Sequence, residues 1–330
     1  MILSRHMRVL VTGAKGFVGK AIISALSENR IEFVILDLPP APADVPPEHF
    51  SGVDITNLEE LEKLSNIGPI DAVVHAAGLA HQFGVVSREK FWRVNVDGTR
   101  NAAELAARLN AKRFVLISSV SVYGKVNHEG PERSESSICH PEGSYAESKY
   151  ESENIARRIC EKIGLDLIIL RLATVIGEGD AGNVSRLIRA VDKRRFYWIG
   201  KGENRKSLVY KGDVARACLT VLTSKQDRSG VYNISAPAET MKDIVSYIEQ
   251  ALGKKVPPVG IPAGLLKLAF GVNSKTLSIG RISRLGETVK KWLSDETFSA
   301  KRFKEDYAFE PETTVQEAIQ REVAWYLAHK

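Results

Sequence analysis

Short β-branched runs alternate with amphipathic stretches through the first half of the chain. Residues 8–12, 33–37, 72–76, 114–118 and 167–171 are compact apolar segments of strand length. Between them, residues 17–28, 58–65, 95–109 and 145–163 repeat apolar positions every three or four residues, the period of a helix with one buried face. Strand and helix in strict alternation predict a parallel sheet covered on both sides, because each crossover returns the chain across a face of the sheet. After residue 171 the rhythm loosens into a glycine-rich loop at 177–182, a helix at 184–193 and shorter irregular pieces. The run at 230–234 is apolar enough to rejoin the main sheet, and the proline-rich stretch 39–47 reads as a loop.

This pattern predicts an α/β fold: a doubly wound, Rossmann-type parallel sheet with a smaller mixed C-terminal lobe. The expected boundaries are 7–175 for the dinucleotide-binding part, with 205–235 returning to it, and 176–204 plus 236–330 for the substrate-binding lobe. A length of 330 residues agrees, since cores rarely grow past about 250–300 residues without dividing. Residues 1–6 precede the first strand and are left out of the fold.

Composition removes several function classes. With 44% hydrophobic and 26% charged residues, global disorder is excluded. The net charge of +6 is spread along the chain without a basic stripe, so no nucleic-acid partner is expected and a small-molecule substrate is. Cys139, Cys160 and Cys218 form no paired framework and read as free thiols in a reducing compartment, hence a cytoplasmic location. The most apolar later segment, 261–272, is too short to span a bilayer and carries Lys267, so no membrane partner is expected.

The first strand runs directly into Thr12-Gly13-Ala14-Lys15-Gly16-Phe17-Val18-Gly19 and then a helix. Glycines at i, i+3 and i+6 let the backbone turn tightly and approach a pyrophosphate, while the helix N-terminus offers unpaired N–H groups and a positive dipole end. Gly13, Lys15, Gly16, Phe17, Val18 and Gly19 are the candidate cofactor cradle. The second strand ends in Asp37, where a carboxylate accepts hydrogen bonds from ribose hydroxyls and repels a 2′-phosphate, favouring NAD over NADP. Lys15 inside the turn works slightly against that preference.

Tyr145 and Lys149 stand four apart at the start of a helix, so both side chains project from one face. A neighbouring ammonium is expected to lower the phenol towards neutrality, allowing Tyr145 to take a hydroxyl proton as hydride leaves. Lys149 also has the reach to bond a nicotinamide ribose. The strand at 114–118 ends in Ser118-Ser119-Val120-Ser121-Val122-Tyr123-Gly124 at the same sheet edge, where any one of the three serines, Ser118, Ser119 or Ser121, can bond the reacting oxygen or cap the turn. His75, His81, His128 and His140 lack metal-ligand spacing and read as loop or cofactor-lining residues. Arg186 and Arg189 share a face of the 184–193 helix and read as a solvated surface.

Together these segments, with VDITN at 53–57, HAAG at 75–78 and RVNVDGT at 93–99, resemble the extended short-chain dehydrogenase/reductase family over nearly the whole chain. The resemblance implies that Asp54 and Ile55 lie beside the adenine, that Ala76, Ala77 and Gly78 line the cofactor path, and that Asn95 organises the site. It makes Ser119 the catalytic serine. LRLATVIGEGD at 170–180, Asn183 and ENRKSLVYKGDVARA at 203–217 resemble the nucleotide-sugar 4-epimerase and 4-ketoreductase branch, typified by UDP-glucose 4-epimerase. In that branch Asn183 and Lys206, with Arg205 beside it, correspond to residues that contact the nucleotide diphosphate. Lys206 stands where many members carry arginine, and no second basic phosphate ligand is identifiable among Arg281, Arg284 and Lys290.

The leading expectation is an NAD-dependent sugar-nucleotide 4-epimerase of UDP-hexose type working through a 4-keto intermediate. A 4-ketoreductase or dehydratase, a hydroxysteroid-type dehydrogenase, and a non-catalytic NAD-binding sensor or scaffold stay open. The resemblance also implies a homodimer built on the 95–109 and 145–163 helices.

Overall fold

The computed structural model describes residues 7–43, 45–80, 86–124, 132–226, 229–257, 260–261 and 294–330. The expectations placed on His81, His128, Arg281, Arg284, Lys290 and all but the first residue of the 261–272 segment lie outside the described residues, as do residues 1–6.

Seven parallel strands form the main sheet: β1 (Arg8–Thr12), β2 (Glu32–Asp37), β3 (Phe50–Gly52), β4 (Ala72–His75), β5 (Arg113–Ser119), β6 (Asp166–Leu172) and β11 (Gly230–Ile234). Their order is β3-β2-β1-β4-β5-β6-β11, so the winding reverses between β1 and β4. At that reversal two crossovers leave in opposite directions and open a crevice at the carboxyl edge, where ligands of doubly wound sheets bind. The short β3, paired with β2 through Ile35 and Phe50, was not expected, because the prolines ahead of it mask a run of only three residues.

Alternation of side chains sends successive strand residues to opposite faces. Val9 and Val11 join α1 (Phe17–Glu28) through Ile22 and Leu26, and α7 (Lys211–Thr223) through Val214 and Cys218. Leu10, Val34 and Leu116 face the other way, onto Leu61 of α2 (Leu58–Glu62), Leu105 of α4 (Gly98–Arg108) and Ala156 of α5 (Ser144–Ile163). Strands buried on both faces carry near-continuous apolar runs, the pattern seen in the sequence.

The helix expected at 95–109 has a different build. A short α3 (Arg88–Phe91), capped by Ser87, passes into a π-helical turn at Trp92–Asp97 and only then into α4. One extra residue in that turn withdraws backbone groups from the i→i−4 ladder, and the carbonyl of Asn95 accepts side-chain hydroxyls instead.

The second lobe packs α6 (Asn183–Asp192), α8 (Met241–Leu252) and α10 (Val315–Ala328) around Ile188, Ile248 and Ile319. β7 (Thr174–Ile176) pairs in parallel with β10 (Leu208–Tyr210); β9 (Arg205–Lys206) pairs antiparallel with β12 (Glu239–Thr240). β8 (Trp198–Ile199) pairs with β13 (Gly260–Ile261), and α9 (Lys301–Tyr307) sits Phe303 in the main core. Thus 230–234 belongs to the main sheet while 205–210 contributes to two small ones. Among the described residues no helix is long and apolar enough to cross a membrane. The three cysteines are free thiols, and burial pushes Cys160 and Cys218 up to about 12.

One buried charge ties the carboxyl edge together. Glu153 of α5, fully buried, accepts Ser118 Oγ (2.7 Å), Arg171 Nε (2.9 Å) and Arg171 Nη2 (2.6 Å), while Arg157 Nη2 reaches it from the helix surface at 3.0 Å. Ser118 and Arg171 are register partners on β5 and β6, so a single carboxylate fixes α5 against both strands. Glu153→Gln leaves the Arg171 guanidinium buried without its countercharge and is expected to cost about 3–5 kcal/mol of stability, measured by urea unfolding. An unchanged midpoint contradicts this role.

Candidate active site

Two glycines of the turn after β1 are dictated by close backbone approach. Gly13 has φ +70°, and a Cβ there would lie 2.4 Å from the Ala77 backbone; a Cβ on Gly19 would lie 2.1 Å from the Gly13 carbonyl oxygen. No side chain caps the N-terminus of α1, and Gly16 is solvent-exposed ahead of it. Unpaired N–H groups on a backbone that nothing screens make a cradle that fits a pyrophosphate. Phe17 and Val18, half-buried, continue from it into the helix.

Asp37 stands at the end of β2, where its carboxylate accepts the backbone N–H of Lys15 (Oδ2, 2.8 Å) and of Leu38 (Oδ1, 2.7 Å). Held that way it keeps lone pairs for ribose hydroxyls. The Lys15 ammonium donates to the carbonyls of Leu38 (2.7 Å) and Pro40 (3.0 Å). Its charge is thereby engaged by backbone carbonyls, which weakens the expectation that it offsets the NAD preference. Asp54 Oδ1 accepts the Thr56 N–H, and the buried Ile55 carbonyl accepts Asn101 Nδ2.

A buried hydrogen-bond chain crosses from this cradle to α5, which carries Tyr145 and Lys149. The Ala77 N–H donates to Thr12 Oγ1 (3.3 Å), Thr12 Oγ1 meets His75 Nδ1 at 2.7 Å, and His75 Nε2 meets Thr99 Oγ1 at 3.1 Å. Since the Thr99 hydroxyl donates to the Asn95 carbonyl (2.5 Å), Nε2 must carry the imidazole proton and Nδ1 must accept from Thr12. His75 is therefore the neutral Nε2–H tautomer at the end of β4, which sets aside the loop half of the loop-or-cofactor-lining expectation. Burial, reinforced by Lys149, holds it down at about 3.

Asn95 is buried at 1% exposure and spends its side chain on the protein: Oδ1 accepts the Leu79 N–H (2.7 Å), and Nδ2 donates to the Leu79 carbonyl (3.2 Å) and Ser148 Oγ (2.9 Å). It thus fixes the segment after Ala76 and Ala77 to α5. A Cβ on Gly78 would lie 3.1 Å from Asn95 Oδ1 and 3.3 Å from Lys149 Nζ. Ser148, Thr99 and His75 escaped notice in the sequence as members of one chain because nothing in local spacing relates residues 75, 95, 99 and 148.

The Lys149 ammonium donates to the Ile117 carbonyl at 2.9 Å. Loss of hydration lowers it to about 8, against the pull of Glu153 one turn further along α5. Tyr145 is hydrogen-bonded to the Ser119 hydroxyl, and its ring meets Phe91 with centroids 6.0 Å apart. Burial raises the phenol and the Ser119 bond opposes that rise. The expectation that Lys149 lowers Tyr145 is corrected here: loss of hydration is the largest influence on both groups and penalises phenolate and ammonium alike. Ser119 Oγ also accepts the Ser121 N–H (3.1 Å), whereas Ser121 Oγ is buried with no partner among the described residues.

The residues expected on the diphosphate stand on the other lobe. Asn183, exposed, is the first residue of α6. Along β9 Arg205 and Lys206 point to opposite sides. Lys206 Nζ pairs with Glu296 at 3.0 Å; Arg205 Nη2 donates to the Ala238 carbonyl (2.6 Å) and lines a cavity of about 730 Å³ with Asp295, Lys301 and Lys304. Arg189 folds back onto Ser185. Among the described residues no cluster of His, Cys, Asp and Glu could hold a metal ion.

A model of the NAD dependent epimerase/dehydratase family matches residues 9–235, from β1 through the end of β11. The chain belongs to that family. Its members are enzymes, and so is this chain. It is 28% identical to the N-acetyl-alpha-D-glucosaminyl-diphospho-ditrans,octacis-undecaprenol 4-epimerase of Escherichia coli O157:H7, over 97% of this chain and 96% of that protein. It is 25% identical to the dTDP-glucose 4,6-dehydratase of Neisseria meningitidis serogroup B, over 98% and 94%. The UDP-glucose 4-epimerase of Thermus thermophilus, solved in complex with NAD, has the same fold at a TM-score of 0.77, with 24% identity over 98% of this chain and 100% of that one. The NAD dependent family match ends at residue 235, so the helices α8 to α10 lie beyond it.

Two outcomes follow for this epimerase/dehydratase family member. Asp37→Ala is expected to weaken NAD about tenfold or more by calorimetric titration while weakening NADP less, given that one hydrogen bond to a charged group is worth about 1.5–3 kcal/mol. His75 has a folded value below its usual one, so its contribution to stability is complete above pH 6.5 and is lost as pH falls towards about 3. Imidazole nitrogen shifts of the neutral Nε2–H form are expected to persist below pH 5; an imidazolium signature at pH 6 contradicts the chain drawn above.

Proposed function

We propose that this enzyme is an NAD-dependent 4-epimerase of a hexose carried on a diphosphate, with a UDP-hexose as its substrate. The observation that carries the reading is the Tyr145–Ser119 hydrogen bond beside Lys149, at the edge of a glycine cradle that fits NAD. A full-length relative that is a 4-epimerase of a diphospho-linked amino sugar supports the choice of reaction and of carbon.

NAD, when bound, supplies the hydride acceptor together with a cationic ring beside the tyrosine. Tyr145 acts as the phenolate: it takes the proton of the C4 hydroxyl, becoming the phenol as hydride leaves C4, and returns that proton when the hydride comes back. Ser119 bonds the same oxygen, and its hydroxyl steadies the phenolate once formed. Lys149, anchored by the Ile117 carbonyl, holds the nicotinamide ribose and offsets the negative charge on Tyr145. Ser121 Oγ, buried and without a partner among the described residues, offers one further bond to the sugar. Asn183 at the head of α6 contacts the diphosphate, which leaves the sugar ring free to turn and present its other face. Asp37 selects NAD over NADP.

A second reading differs only in what the diphosphate carries. The Escherichia coli relative acts on a polyprenol-linked sugar and aligns from end to end, including the lobe beyond the family match. Purified enzyme is therefore to be given UDP-glucose, UDP-N-acetylglucosamine and polyprenyl-diphospho-N-acetylglucosamine in turn, with products read by NMR. A C4 epimer formed without net consumption of NADH is expected from a UDP-sugar, and from the polyprenyl substrate alone if the second reading holds. NADH consumed stoichiometrically with a 4-keto sugar, and no epimer from any of the three, overturns epimerisation. Tyr145→Phe is expected to lower turnover about 10²–10⁴-fold with NAD affinity unchanged, by steady-state assay and titration.

A further inference from the structure

Glu322 lies on the inner face of α10, at 2% exposure. Its Oε2 accepts the backbone N–H of Gly177 at 3.1 Å, and its Oε1 is buried with no hydrogen-bond partner among the described residues. A buried carboxylate with one oxygen unpaired costs considerably more than a neutral carboxyl in the same place, because desolvating a full charge is far more expensive than leaving one neutral polar atom unpaired.

Gly177 opens the loop that leads from β7 to α6. The loop has little slack: Gly177 has φ +139° and a Cβ there would lie 2.9 Å from the Tyr210 ring. The Asp180 N–H returns to the Gly177 carbonyl (3.0 Å), and Asp180 accepts the N–H groups of Gly182 (2.8 Å) and Ser185 (3.4 Å), which sets the start of α6 and hence Asn183. Glu178 accepts the Tyr210 hydroxyl (3.1 Å) and pairs with Lys211 Nζ (3.2 Å), which also donates to the Glu178 carbonyl and lies 5.6 Å from the Phe17 ring at the cofactor turn. The loop therefore joins the cofactor cradle to the head of α6, and Glu322 is the side chain from α10 that bonds its first residue.

We propose that Glu322 is a positioning residue whose neutral carboxyl holds the Gly177–Gly182 loop, and Asn183 with it, in the arrangement that receives the substrate diphosphate. The assignment of a diphosphate to Asn183 rests on the function proposed above; the holding of the loop does not. The charged groups facing Glu322 are Asp180 and Glu178 on the loop and Lys211 on α7, with the Tyr210 hydroxyl close by on Glu178. Lys211 is already paired with Glu178, so ionised Glu322 meets two carboxylates and no uncommitted ammonium among these groups. Burial first, then Asp180, push it up to about 8. A carboxyl raised above its ordinary value stabilises the loop fully below that ordinary value, about 4.3, and the contribution is lost as pH rises through about 8.

The test is amide hydrogen exchange of residues 177–182 in the full chain between pH 5 and 9, corrected for intrinsic rates, for the native protein and Glu322→Gln. If opening the loop returns Glu322 to water, protection in the native protein falls by about tenfold per pH unit up to pH 8, and the isosteric amide removes that slope. UDP affinity, measured alongside, is expected to fall with the protection in the native protein and to stay level in the variant. Equal pH slopes in the two proteins, or a flat profile in the native protein, overturn the proposal; the flat profile does so without any variant. UDP bound by neither protein at any pH counts against the nucleotide reading of the substrate, and the exchange profiles still decide the role of Glu322.

Discussion

The close passage of the turn after β1 across the end of β4 governs this molecule. Gly13 and Ala77 approach so nearly that a single added carbon at residue 13 would sit 2.4 Å from the Ala77 backbone, and Gly19 presses α1 against the same turn. That contact occurs where the sheet reverses its winding, so it sets the floor of the crevice and aims the N-terminus of α1 across it. The hydrogen-bond chain from Ala77 through Thr12, His75 and Thr99 to Asn95 begins there and carries the register to α5 through Ser148. Displacing the turn would move the cofactor cradle and Tyr145 relative to one another.

Loss of hydration orders the electrostatics behind that contact. It keeps His75 neutral, lowers Lys149 and raises Tyr145, while Arg171, Arg157 and Ser118 satisfy both oxygens of the buried Glu153. The same rule, applied to Glu322 with one oxygen paired and two carboxylates nearby, favours a neutral acid. Burial penalises charge everywhere, and the local count of partners decides which groups escape it.

The two halves of the site differ in how far they could be read beforehand. Tyr145 and Lys149 are four apart on one helix, and the glycines of residues 13, 16 and 19 follow a strand directly, so both patterns are local and survive without coordinates. Asn183, Arg205 and Lys206 come from separate short elements of the second lobe. There, strand alternation sends Arg205 and Lys206 apart and commits Lys206 to Glu296, an arrangement no spacing along the chain announces. β3 was missed for a related reason: three residues after a run of prolines carry too little periodicity to stand out.

By itself, the sequence determined the alternating α/β architecture, the glycine turn after β1, the acidic residue at the end of β2 and the pairing of Tyr145 with Lys149. Each depends on periodicity or on contacts within a few residues, which the backbone enforces wherever it folds. Tertiary structure alone decided the protonation states and the supports: the neutral tautomer of His75, the buried ion pair of Glu153 with Arg171, and the contact of Glu322 with Gly177. Those partners lie 18 to 145 positions apart in the chain. Their chemistry comes from exclusion of water and from through-space neighbours, and neither exists until the sheet and its two lobes have closed around them.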